Sequence, residues 1–155
     1  MDHIDRNILV AVQQDGAAGL AELAKVAGLS VSATAERVKR LEERGTIRGW
    51  RADLDPNAAG CPLAAWVFVV MRAGRDDAAF RKAMRRSEAV MECHAVTGPW
   101  SYLLKLRLPD LAALETFLHD EVRTQPGVER TETIVAIASA KETSILPLAP
   151  ADDDE

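Results

Sequence analysis

Apolar residues in the first third of the chain recur at helical spacing in three separate stretches. Ile4, Ile8, Leu9 and Val12 fall on one side of a first helix, with Asp2 in position to cap it and Asp5 near the positive end of its dipole; the pattern stops near Asp15-Gly16. Leu20, Leu23, Ala24 and Ala27 share one face of a second helix that Gly28 ends, with Gly19 as its cap and Glu22 three residues on. Gly28-Leu29-Ser30 then makes a tight break with a capping serine, and a third helix runs from Val31 to about Arg44. At about 100° per residue, Val31, Thr34, Ala35, Val38 and Leu41 form its inner side, while Ser32, Ala33, Glu36, Arg37, Arg40 and Arg44 fall outward.

After Gly45 the period changes. Thr46 to Leu54 reads as a short ribbon bent at Gly49, and Asp55-Pro56-Asn57-Ala58-Ala59-Gly60 is a run of turn formers that marks a boundary. From Leu63 to Met71 the chain is rich in β-branched and aromatic residues and predicts a strand. A helix over 77–86 carries Phe80 and Met84 inward, strands follow over 89–97 and 102–108, and Gly98-Pro99-Trp100-Ser101 joins them. Pro109-Asp110 opens a helix with Leu111, Leu114, Phe117, Leu118 and Val122; Gln125-Pro126-Gly127 ends it, and 128–138 is the last strand. The order βαββαβ predicts an antiparallel sheet with both helices on one face. The bare second face predicts a homo-oligomer.

The expected class is therefore α+β: an N-terminal winged helix-turn-helix over 1–52, a linker over 53–62, a ferredoxin-like βαββαβ domain over 63–148 and an acidic tail over 149–155. Two short helices joined by a tight turn, the second with arginines and small polar groups outward, are what a reader of the major groove requires.

Charge sharpens this picture. The chain as a whole carries a net charge of -5, which disfavours a polyanion partner until it is divided. From Ser30 to Ala52, Arg37, Lys39, Arg40, Arg44, Arg48 and Arg51 stand against Glu36, Glu42 and Glu43. Exposed charges more than about 8 to 10 Å away are screened at ordinary salt, so this local excess is what a duplex would meet. The candidate DNA contacts are Ser30, Ser32, Ala33, Thr34, Glu36, Arg37, Lys39, Arg40, Arg44, Arg48 and Arg51. Arg37 and Arg40 are placed to read guanine edges in two-point contacts, and Lys39, Arg44, Arg48 and Arg51 to hold phosphates.

Other chemistry is thinly represented. Cys61 and Cys93 lack the short Cys or His spacing of a zinc site, His94 and His119 have no evident catalytic partner, and no cofactor or metal is expected. No apolar run reaches the roughly 18 to 20 residues of a membrane span and the N-terminus lacks signal-peptide order, so the expected location is the cytoplasm.

Several segments in order resemble the Lrp/AsnC family of transcription regulators, the feast/famine regulatory proteins. They are Ile4-Asp5-Arg6-Asn7-Ile8-Leu9, Glu22-Leu23-Ala24, Gly28-Leu29-Ser30-Val31-Ser32, Arg37 to Ile47, Leu54-Asp55-Pro56, Val96-Thr97-Gly98 with Tyr102-Leu103-Leu104, and Lys141 to Leu148. The resemblance implies a second domain of the RAM type, a dimer often assembled into octamers, operator binding, and response to an amino acid or related metabolite. It also implies an effector site at Thr97, Gly98, Pro99, Trp100, Ser101 and Tyr102. Many members carry an aspartate where this chain has Ser101, which removes the natural partner of an effector's ammonium; Trp100 offers a flat apolar surface instead. A different class of function, tetrapyrrole decarboxylation on the same fold, is the alternative reading; it leaves the arginine-rich helix without a purpose.

Overall fold

Asp2 starts the first helix, α1 (His3–Gln14), by accepting from the Asp5 N–H at 2.7 Å. The helix buries Ile8 and Leu9, two of the positions that the apolar spacing marks. α2 (Leu20–Ala27) begins with the Glu22 carboxylate accepting from the Gly19 N–H at 3.3 Å, and buries Leu23, Ala24 and Ala27. It stops at Gly28, whose φ of +67° is a left-handed conformation that glycine adopts without steric cost. α3 (Val31–Glu43) is capped by the Ser30 hydroxyl, which accepts from the Ala33 N–H at 3.2 Å. These elements come from a computed structural model that describes residues 1–73 and 77–150.

Ile8, Leu9, Ala27 and Leu41 form the core of this unit, with Ile4, Val12, Leu29, Val38, Ile47 and Leu148 packed against it. The chain separates into two compact units, Met1–Asp53 with the described residues from Lys141 onward, and Leu54–Ala140. The segment after Lys141, which the sequence pattern attaches to the sheet, thus belongs with the helices. Its hold is specific: the Gln13 amide donates to the Leu146 carbonyl at 3.3 Å and accepts from the Leu146 N–H at 2.8 Å, and the Arg6 guanidinium donates to the Ala149 carbonyl at 3.0 Å. A side-chain amide carries a donor and an acceptor side by side, so Gln13 serves the backbone of Leu146 as a neighbouring peptide would.

The ribbon expected over Thr46 to Leu54 contains no strand. Gly45 at φ +72° turns the chain out of α3 and the Ile47 N–H returns to the Leu41 carbonyl at 3.0 Å; the segment beyond is irregular, and the Trp50 indole N–H ties it to the Glu42 carboxylate at 2.7 Å.

In the second unit, β1 (Leu63–Met71), α4 (Ala78–Arg86), β2 (Val90–Ala95), β3 (Tyr102–Leu108), α5 (Leu111–Phe117) with a π-helical continuation over Leu118–Arg123, and β4 (Val128–Val135) follow the expected order. The sheet runs β2-β3-β1-β4, antiparallel throughout, with Val67 opposite both Leu104 and Thr133. β4 ends at Val135, three residues early; beyond it the Ala136 N–H still reaches the Ala64 carbonyl at 3.0 Å, and Ile137 is fully exposed. Alternation decides the layers. Ala65, Val67, Val69, Tyr102, Leu104 and Leu106 pack against Phe80 and Met84 of α4 and against Leu114, Phe117 and Val122. The other face carries Trp66, Phe68, Val70 and Leu103, partly buried, and Ile134, half exposed.

One ion pair fixes how α3 lies on α1. A terminal nitrogen of the Arg37 guanidinium donates to Asp2 at 2.6 Å and to Asp5 at 2.7 Å. The Asp5 N–H and then the Arg37 guanidinium hold the Asp2 carboxyl below its ordinary value of 3.8, against an opposing effect of burial. A carboxyl lowered on folding contributes stability above its unfolded pKa and loses it as pH falls through the folded value. Arg37→Gln should therefore lower the melting temperature at pH 7, and the gap from the wild type should close as the pH is taken well below 3.8. Thermal unfolding across that range tests this; a gap that stays constant would mean that the ion pair does not hold the helices together.

Candidate nucleic-acid interface and ligand loop

The turn before α3 and the outward side of the helix together make one exposed strip. Ser32, Ala33, Glu36, Lys39, Arg40 and Arg44 all lie on it in the open, and Ser30 bounds it. Ser30 is occupied twice, as the cap for the Ala33 N–H and in a 3.2 Å hydrogen bond with the Ser32 hydroxyl. Arg40 and Arg44, with Arg48 and Arg51 on the segment that follows, are exposed and make no ion pair or side-chain hydrogen bond among the described residues. Lys39 has Glu43 one turn away at 3.7 Å, an exposed pair of the kind that yields readily to a stronger partner.

Two expected contacts lie elsewhere. Arg37 is turned inward onto Asp2 and Asp5, and the pairing raises its own pKa further. Thr34 is completely buried and its hydroxyl donates to the Ser30 carbonyl at 3.0 Å. Neither side chain is available to a duplex in this arrangement, so the readable strip is narrower than the helical wheel suggests. The tie between Trp50 and Glu42 carries no signal in the sequence pattern, but it sets where the chain bearing Arg48 and Arg51 leaves α3.

The glycine loop between β2 and β3 is held at one end and open at the other. The Val96 N–H donates to the Ser101 carbonyl at 3.1 Å, the Ser101 N–H donates to the Val69 carbonyl at 2.8 Å, and the Ser101 hydroxyl accepts from the Met71 N–H at 2.9 Å. Thr97, Gly98 and Pro99 are exposed, with Gly98 at φ +98°. Trp100 lies on the helix-free face of the sheet, its ring centroid 5.4 Å from that of Phe68, and the Arg130 guanidinium stands 4.5 Å above it. Tyr102, expected in the effector site, is on the opposite side of the sheet: it is 3% exposed, packs on Phe80 and donates its hydroxyl to the Asp77 carboxylate. Burial, and then Asp77, push its pKa up, so it remains a protonated donor. Phe68 and Arg130, absent from the expected site, come to it through strand register, with Arg130 opposite Val70 and Glu132 opposite Phe68.

Other chemistry is local. His94 pairs with Glu92 at 3.0 Å and His119 with Asp120 at 2.7 Å, all at the surface. Cys93 is half-buried among apolar residues, and burial raises its thiol pKa, which suits an inert packed side chain. Among the described residues no cluster of three metal-ligating side chains occurs, and no helix is long and apolar enough to cross a membrane.

Comparison with known proteins gives these two regions a common frame. Residues 1–42 match the AsnC-type helix-turn-helix domain and residues 64–146 match the Lrp/AsnC ligand binding domain. The leucine-responsive regulatory protein of Klebsiella pneumoniae is 38% identical over 148 residues, covering 94% of this chain and 90% of that protein. A transcriptional regulator from Neisseria meningitidis, solved with L-methionine, superposes with a TM-score of 0.90 at 30% identity, covering 95% of this chain and 96% of that one. A feast or famine regulatory protein from Mycobacterium tuberculosis, also solved with L-methionine, gives 0.84 at 36% identity, covering 94% and 97%. Nothing among these relatives favours a decarboxylase. With a helix-turn-helix domain and a ligand-binding domain matched in the same order, the chain belongs to the Lrp/AsnC family of DNA-binding transcriptional regulators.

Proposed function

We propose that this chain acts as a homo-oligomer that docks α3 in the major groove of a specific operator and changes its activity when a small metabolite, an amino acid or a related acid, occupies the glycine loop. The observation that carries the reading is the exposed Arg40, without an ion pair among the described residues, on a helix fixed from behind by Arg37, Thr34 and Leu41. Arg40 is the base reader, its planar fork matching the two acceptors of a guanine edge. Lys39, Arg44, Arg48 and Arg51 neutralise phosphates, while Ser30, Ser32, Ala33 and Glu36 line the approach. The helix-free sheet face with Trp66, Val70, Leu103 and Ile134 is the dimer surface, because an apolar face of this extent is stable only when covered. Assembly of such dimers into octamers uses a second interface, because a two-fold contact is complete in the dimer. The effector lies against Thr97, Gly98, Pro99, Trp100 and Ser101; two relatives solved with L-methionine support a ligand of that size. In this reading the function is regulatory and not enzymatic and is exercised in the cytoplasm; His94 and His119 each pair with a neighbouring carboxylate.

A dimer of this design binds a roughly palindromic site with half-sites about one helical turn, 34 to 36 Å, or a multiple of it apart. Arg40→Ala should weaken operator binding by about 1 to 3 kcal/mol and relax specificity at one base pair. Binding isotherms on the operator and on single-base variants test this, and a loss equal on all sequences reassigns Arg40 to phosphate. Each phosphate contact adds about 0.9 to the slope of log affinity against log salt, so a salt titration should show a steep fall; a flat response is incompatible with the reading. At the loop, Gly98→Asp forces a side chain onto a backbone at φ +98° and should abolish the rise in melting temperature that an effector produces, with the unliganded fold intact by circular dichroism.

A further inference from the structure

The Trp100 face that the loop presents is already covered by a cation, and that cation has no ion-pair partner among the described residues. Arg130 is exposed, its guanidinium carbon 4.5 Å from the centre of the Trp100 ring, and it makes no ion pair among the described residues. Its neighbour Glu129 is engaged by Arg72 at 3.4 Å. Glu132, two residues along β4 and opposite Phe68, is the acidic group on this stretch of the face, and it too makes no ion pair there. Stacking on an indole uses the flat face of a guanidinium and leaves its N–H edge free for a planar, two-oxygen acceptor. Thr97, Gly98, Pro99, Trp100 and Ser101 contain no carboxylate to receive an ammonium group, and the Ser101 hydroxyl already accepts from Met71 while keeping its own proton to give.

We infer that Arg130, held over Trp100, is the carboxylate receptor of the effector site, and that the site takes organic acids with an apolar body whether or not they carry an amine. The apolar body lies along Phe68 and Trp100, which are 5.4 Å apart centre to centre, and the acid group meets the guanidinium edge. This assignment rests on the proposal that the glycine loop binds an effector, and it specifies the chemical class of that ligand. It differs from an amine-centred site in making the positive residue the recognising one.

The test uses the full chain and a panel of leucine, methionine and phenylalanine, each as the amino acid, as the acid lacking the amine and as the amide lacking the carboxylate. Melting temperature and calorimetric binding are read for wild type, Arg130→Gln, Arg130→Lys and Gly98→Asp, each checked for an unaltered unliganded fold. At least one amino acid and its deaminated acid should bind the wild type while the amide does not. Arg130→Gln should weaken that binding about tenfold or more, as expected for loss of a charge-assisted hydrogen bond, with partial recovery in Arg130→Lys. Equal binding of amide and acid, or binding unchanged in Arg130→Gln but lost in Gly98→Asp, overturns the assignment and leaves the loop as a site read by other groups. Binding that demands the amine overturns it in favour of Glu132. Absence of binding by every acid to the wild type overturns the effector reading itself.

Discussion

A helix that reads a duplex has to be gripped on one side and bare on the other, and in this chain the grip is ionic as well as apolar. α3 offers the core only Thr34 and Leu41 as fully buried side chains, too little to fix a rod against rolling. Arg37 supplies the missing constraint by reaching two carboxylates on the first turn of α1. Asp2 does two things at once there, capping α1 through the Asp5 N–H and receiving Arg37. Losing Asp2 would therefore fray the helix start and free the reading helix together. A pair this exposed contributes modestly to stability. Its consequence is orientational: it decides which residues of α3 face outward, and hence that Arg40 does.

This also explains what the sequence could not disclose about the interface. A helical wheel assigns faces by angle alone, and Arg37 lies at the border beside Leu41, where a long side chain can turn either way. Which way depends on Asp2 and Asp5, more than thirty residues earlier, and a wheel drawn for one helix has no access to them. The same limit hides the path after Lys141, whose hold on α1 runs through backbone atoms of Leu146 and Ala149 and so leaves no side-chain period. The expected ribbon after Gly45 fails for a related reason: turn formers and alternation describe a chain able to pair, but a ladder needs a second strand, and none lies along it within the described residues.

Where local chemistry dominates, the reading holds. Ser30, Gly28 and the apolar spacing set all three helices to within a residue or two, and β1 and β3 fall at the expected residues. Tyr102 is instructive because two lines of reasoning conflicted. Alternation with Leu104 and Leu106 puts it in the core, while family likeness puts it in the ligand site; the pleat decides, and the hydroxyl is satisfied by Asp77 beneath the sheet. Consecutive residues are thereby anchored on different partners, Ser101 to the backbone of β1 and Tyr102 to Asp77. The loop from Thr97 to Trp100 hangs from a rigid post, with Gly98 at its exposed tip.

Such a post gives the Arg130–Trp100 contact its significance. A cation over an exposed indole is held by about 0.5 to 1 kcal/mol, enough to bias a flexible side chain toward one place but not to lock it. A charge-assisted hydrogen bond contributes about 1.5 to 3 kcal/mol, so an anion arriving at the guanidinium edge competes easily with any remaining freedom of the arginine. The weaker contact prepares the stronger one. Because Arg130 stands on β4, Phe68 on β1 and Trp100 on the loop before β3, an acid bound to all three joins separate strands through one small molecule. In the proposed assembly the same apolar sheet face meets a second copy of the chain, so a ligand that stiffens it would alter the surface on which that assembly depends. Effector recognition and oligomer geometry are then two consequences of one patch of sheet.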